Sequence, residues 1–105
     1  MKFITQEQAN ILPGLYQTEF TPPRERVAYV KLFHPATQWT WYIMEYDGND
    51  TCYGLVVGHE NEFGYFSLRE LREVQAFGLA IERDEYFKPT QVQDLPIHNI
   101  NAVVA

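Results

Sequence analysis

WTWYIMEYDGNDTCYGLVVGHENEFGYFSLRE, from Trp39 to Glu70, decides the fold. Trp39 to Tyr46 is almost wholly apolar or aromatic and reads as a strand. Asp47-Gly48 is a turn signal, and Asn49 and Asp50 lengthen the loop beyond the tightest two-residue hairpin. Thr51 to Gly58 is the next strand, and Gly54 inside it implies a bulge or a bulky neighbour on the adjacent strand. Glu60-Asn61-Glu62 makes a polar turn, and Phe63 to Phe66 a short further strand. Ser67-Leu68-Arg69-Glu70 has capping-box spacing, which opens a helix to about Gln75. Leu68, Leu71 and Val74 then face the sheet, and Gly78 fits the helix exit.

Outward from this segment the signals are shorter. Val27 to Phe33 (VAYVKLF) reads as one strand, with Val27, Tyr29, Lys31 and Phe33 on one face and Ala28, Val30 and Leu32 on the other. His34-Pro35 ends it. Thr5-Gln6-Glu7-Gln8 is another capping box, predicting a short N-terminal helix that Pro13-Gly14 ends. Pro22-Pro23 forbids regular pairing before the first strand. Ile81 to Phe87 reads as a short extended or turn segment docked by Ile81, Tyr86 and Phe87 and ending at Pro89. Short connections favour antiparallel neighbours. The fold class expected is α+β: a three- to four-stranded antiparallel meander with one helix packed on a face and a short N-terminal helix. Residues 1–105 form a single domain with its compact core at about 5–95, and Asn99 to Ala105 are a loosely held tail.

Composition limits function. At 46% hydrophobic and 15% aromatic residues, a polypeptide of 105 residues has enough apolar surface for one packed core. The single cysteine, Cys52, allows no internal disulfide and suits a reducing compartment. The stretch after Met1-Lys2 turns polar within three residues, and no apolar run is long enough to span a bilayer, so a cytoplasmic protein without a membrane partner is expected. Eight Lys and Arg against fourteen Asp and Glu give a formal net charge of −6. That field repels phosphate backbones, disfavours direct nucleic-acid binding, and attracts a basic protein surface.

No catalytic constellation emerges. His34, His59 and His98 carry no HxH or HExxH spacing and have no paired cysteines, so neither metal nor cofactor is expected. Cys52 sits within a strand, where burial keeps a thiol inert. Glu45, Asp47 and Asp50 cluster at a turn where water keeps them ionised, unlike a working acid–base pair. Gly54 and Gly58 lack the following helix of a phosphate cradle. Trp39, Trp41, Tyr29 and Tyr53 could line one sheet face as core or as a stacking platform; only Lys31 lies nearby to meet phosphate.

The blocks LPGLYQTE at Leu12 to Glu19, WTWY at Trp39, EYDG-DT-YGLVVG-E through Glu60, GYFSL-EL from Gly64 and GLAIERDEYF from Gly78 occur together. Over about Leu12 to Pro89 the sequence resembles the bacterial family called domain of unknown function 2958. The resemblance implies small stand-alone proteins carried on plasmids, integrative elements and phages. It implies roles in element maintenance, transfer or resistance to host defence, and no catalytic residues.

The leading expectation is a non-enzymatic protein-binding module, an acidic inhibitor of a host defence nucleoprotein complex such as a CRISPR or restriction system. Its contacts are expected at Glu45, Asp47, Asp50, Glu60 and Glu62, with Trp39 and Tyr53 as anchors. One alternative is an enzyme or small-ligand-binding domain with a His and carboxylate pocket where His34, His59 and the strand ends meet. The other is an accessory protein that binds single-stranded nucleic acid through sheet aromatics. Oligomeric state is open.

Overall fold

The computed structural model describes residues 2–98 and 100–104, with the side chains at 101 and 102 outside that description. In sequence order the elements are α1 (Gln6–Ile11), β1 (Val27–Ala28), β2 (Val30–Phe33), β3 (Thr40–Tyr46), β4 (Thr51–Val57), β5 (Asn61–Ser67), α2 (Leu68–Arg72), β6 (Glu82–Arg83), β7 (Thr90–Gln91) and α3 (Ile100–Val104). Strands β2 to β5 form an antiparallel meander, and β6 adds to its β2 edge, giving the five-stranded order β5-β4-β3-β2-β6. A separate two-stranded ribbon pairs β1 with β7. The α+β class therefore holds, with a larger sheet than the four strands expected.

Both sheet faces are covered. On one face Val30, Leu32, Trp41, Ile43 and Cys52 pack with Phe3, Leu68, Leu71 and Ile81. On the other, Ala28, Tyr42, Met44 and Leu55 pack with Val92, Leu95 and Val104. The segment that follows β7 thus closes the second face. Helix α3 is too short to persist alone, and burial of Val104, 8% exposed, holds it on the core. Within the expected tail, Ile100, Val103 and Val104 pack on the second core; Asn99 and Ala105 lie outside the described residues.

Local chemistry explains most boundaries. Thr5 and Gln8 complete the capping box of α1, each side chain meeting the other's backbone N–H. At α2 only half the box forms: Ser67 Oγ accepts from Glu70 N–H, while Asp50 accepts from Ser67 Oγ and Arg69 N–H. That helix stops at Arg72, short of Gln75. Gly78 serves instead as the second central residue of a tight turn, with φ +73° after Phe77 at +56° and a bridge from Ala76 to Leu79. Tyr86 is 89% exposed and docks nothing, whereas Ile81 and Phe87 do pack inward.

Two irregularities change which face residues occupy. The single strand expected over Val27 to Phe33 breaks at Tyr29, so Ala28 joins the second core while Val30 and Leu32 join the first. In β3 the register shifts between Ile43 and Glu45, leaving Met44 as the extra residue of a β-bulge. The partner across the bulge is Gly54, where a Cβ would stand 1.8 Å from the Tyr42 carbonyl oxygen. A side chain there is sterically impossible at this strand spacing. Among the described residues, no helix is long and apolar enough to cross a membrane.

Candidate functional site

The bulge at Met44 puts Glu45 opposite Tyr53, and Tyr53 in turn pairs with Tyr65. Cross-strand partners share a face. Glu45, Tyr53 and Tyr65 therefore form a row across the strands β3, β4 and β5, on the face of the second core. Without the extra residue, Glu45 would follow Trp41 and Ile43 into the first core. Tyr16, from the loop after α1, lies over the row with its ring centroid 6.1 Å from that of Tyr65, while Tyr65 and Tyr53 are 4.9 Å apart. Phe63 stacks beside Tyr53 at 6.4 Å.

Glu45 is only 2% exposed. One carboxylate oxygen accepts from Tyr16 N–H at 2.8 Å; the other accepts from Thr18 N–H at 3.1 Å and from the Thr18 hydroxyl. These bonds satisfy a buried charge that would otherwise cost several kcal/mol. They also hold Tyr16 in the left-handed region at φ +70°, with 61% of its surface exposed. A bulky side chain rarely takes that conformation. Here it aims an aromatic ring outward.

Arg26 fills one side of the row. Its guanidinium carbon lies 5.6 Å from both the Tyr53 and Phe63 ring centroids, and Nη1 donates to the Tyr53 hydroxyl at 3.0 Å. Tyr16 and Tyr65 remain exposed, and with Glu19 and Arg26, whose Nη2 donates to the Glu19 carbonyl at 3.3 Å, they line a small cavity of about 100 Å³. Partial desolvation first, then the adjacent Tyr16 hydroxyl, push the Tyr65 phenol above its ordinary value.

The five acids do not form one surface. Glu45 is withdrawn from contact by its burial beneath the Tyr16 and Thr18 backbone, whose N–H groups donate to it. Asp47 is exposed, but its Oδ1 accepts from the N–H groups of Asn49, Asp50 and Thr51, and those bonds, Asn49 first, lower its carboxyl below the usual range. Asp50 is likewise lowered, mainly by the Ser67 hydroxyl, and is committed to starting α2. Glu60 and Glu62 are exposed at the opposite end of β4, about 20 Å away at strand rise. The aromatics divide too: Trp41 and Tyr29 belong to the first core, Trp39 stacks on Trp41 at 6.0 Å and stays 36% exposed, and Tyr53 lies on the other face.

The histidines separate. His34 is buried, with Nε2 2.9 Å from the Leu79 carbonyl oxygen and Nδ1 accepting from Ala36 N–H at 3.2 Å, so it anchors the turn after α2. It borders an apolar groove of about 350 Å³ with Trp39 and Trp41. His59 instead packs edge-on to Trp39, at 5.7 Å between centroids, and lines a different cleft with Glu60 and His98. Cys52 is buried, and burial pushes its thiol far above the ordinary range. Among the described residues, no group of three or more His, Cys, Asp or Glu is arranged to hold a metal ion.

Tyr16, Tyr65 and Arg26 are the residues that sequence reading missed. They come together through long-range pairing and a backbone conformation that no local motif announces. A family model described as a protein of unknown function (DUF2958) matches residues 3–97, wider on both sides than the blocks from Leu12 to Pro89. No curated protein and no solved structure matches the sequence.

Proposed function

The chain belongs to the DUF2958 family, and for it we propose a non-enzymatic protein-binding module that grips a basic segment of its partner on the row of tyrosines. The observation that carries this reading is the fold's own Arg26, stacked at 5.6 Å over Tyr53 and Phe63 while Tyr16 and Tyr65 stay 61% and 54% exposed. The row already holds one guanidinium, and its open side offers the same chemistry to another. Cation–π contacts at exposed rings contribute about 0.5–1 kcal/mol each, and a flanking carboxylate, Glu19, adds a charged acceptor. The net charge of −6 steers a basic partner towards the molecule.

The acids Asp47, Glu60 and Glu62 would form a charged periphery, and Glu45 the buried support. The partner class that fits is a protein with an arginine-rich surface. In the mobile-element setting that the sequence resemblance implies, a nucleic-acid-binding groove of a host defence complex is such a surface. Occupying that groove would inhibit the complex without any chemistry.

Calorimetric titration with an arginine-rich peptide at physiological salt tests the proposal. Tyr16→Ser combined with Tyr65→Ser should weaken binding about tenfold, equivalent to about 1.4 kcal/mol. Glu60→Gln with Glu62→Gln should change it less. Equal losses in both variants would reduce the interaction to bulk charge and overturn the reading.

A further inference from the structure

The second-core face of the sheet carries another feature, at the end away from the tyrosine row. Here the sheet floor is left open between the β4–β5 turn and the segment leading to α3. The cleft has a volume of about 720 Å³, within the range of small-molecule sites. Tyr42, Val57 and Val103 supply its apolar surface; Lys31 and Thr40 rise from the floor, and His98 and His59 stand at its rim, the His59 ring packed edge-on to Trp39. Asn61 Nδ2 donates to the His98 carbonyl at 3.2 Å, which ties the two walls together.

The lining is balanced in charge where the molecule as a whole is acidic. In a protein with fourteen acids and eight Lys and Arg, it holds one ammonium, Lys31, and one carboxylate, Glu60, together with two of the three histidines. Lys31 meets Asp84 at 3.7 Å, and an ammonium has three N–H donors, so this contact leaves donors for the cleft. Burial, then the Asp84 charge, raise the Tyr42 phenol above its ordinary value.

We infer that this cleft binds a small organic anion, with its phosphate or carboxylate group on Lys31 and His98 and its apolar body on Tyr42, Val57 and Val103. The site is separate from the tyrosine row, from which it lies about 13 Å away along β4.

The probe is phenyl phosphate, titrated into the full-length ¹⁵N-labelled protein, with benzyl alcohol as the neutral control and chloride matching the ionic strength. Saturable shifts are expected at the amides of residues 58–61 and 97–98. Lys31→Gln and His98→Gln should each weaken binding about tenfold or more, while Tyr16→Ser leaves it unchanged. The exposed His98 provides the test if Lys31→Gln fails to give a folded spectrum. Shifts as large with benzyl alcohol, shifts located elsewhere, no saturation, or unaltered affinity in His98→Gln would each overturn the assignment.

Discussion

Glu45 accepts a 2.8 Å hydrogen bond from the backbone N–H of Tyr16, joining the central strand of the sheet to a loop 29 residues earlier in the sequence. This bond fixes where the tyrosine ring points. Truncating Glu45 removes the acceptor for two amides and a hydroxyl in a buried site. Glu45→Ala should destabilise the fold by about 3 kcal/mol, and Glu45→Gln, which keeps one acceptor oxygen, by less. Urea unfolding measures the loss. Hydrogen exchange at Tyr16 and Thr18 should accelerate in both variants, even where the rest of the sheet keeps its protection.

Gly54 and Gly64 make a matched comparison on paired strands. A Cβ at Gly54 meets the Tyr42 carbonyl oxygen at 1.8 Å, whereas at Gly64 nothing lies within 4 Å. Gly54→Ala should cost more than about 3 kcal/mol or prevent folding. Gly64→Ala should change stability by less than about 0.5 kcal/mol. Thermal unfolding of the two variants checks the contrast.

Phe77 is 82% exposed at φ +56° in a turn that favours Asn or Gly. Phe77→Asn should therefore raise stability by about 0.5–1 kcal/mol. A decrease in the urea midpoint would mean that the ring makes a stabilising contact.

Much of this fold is legible locally. The box at Thr5, the N-cap at Ser67, the Asp47-Gly48 turn and the two central strand runs rest on neighbours within a few residues and appear close to where the sequence puts them, while the last strand starts earlier, at Asn61. The Tyr29 break and the extra residue at Met44 are not legible, because each is settled by what lies across the sheet. That matters for the site: one inserted residue moves Glu45 from the first-core face to the opposite one, where it is a buried anchor and not the exposed turn acid expected. The helix to Gln75 fails for a similar reason, since the backbone must turn at Phe77-Gly78 to bring Ile81 into the core. The C-terminal cover was hidden because its Ile and Val residues show no period until a second core receives them.

Asp50 links the turn to α2, and its carboxyl is lowered chiefly by the Ser67 hydroxyl and then by Arg69 N–H. A lowered folded-state value contributes stability above the ordinary value of 3.8 that is lost as pH falls through the folded one. The stability gap between the native protein and Asp50→Asn should accordingly be full at neutral pH and close progressively below about pH 4. Urea midpoints taken from pH 7 down to pH 2.5 test this; a gap that widens on acidification would contradict it.

The most direct measurement of the proposed binding mode is the response of the tyrosine ring resonances to an arginine-rich peptide in the full-length protein at physiological salt. The rings of Tyr16, Tyr53 and Tyr65 should shift together and saturably, and the response should vanish in Tyr16→Ser with Tyr65→Ser while the amide spectrum stays folded. Shifts confined to Glu60 and Glu62, or tyrosine rings that do not respond at saturating peptide, would contradict the proposal that this row is the contact surface.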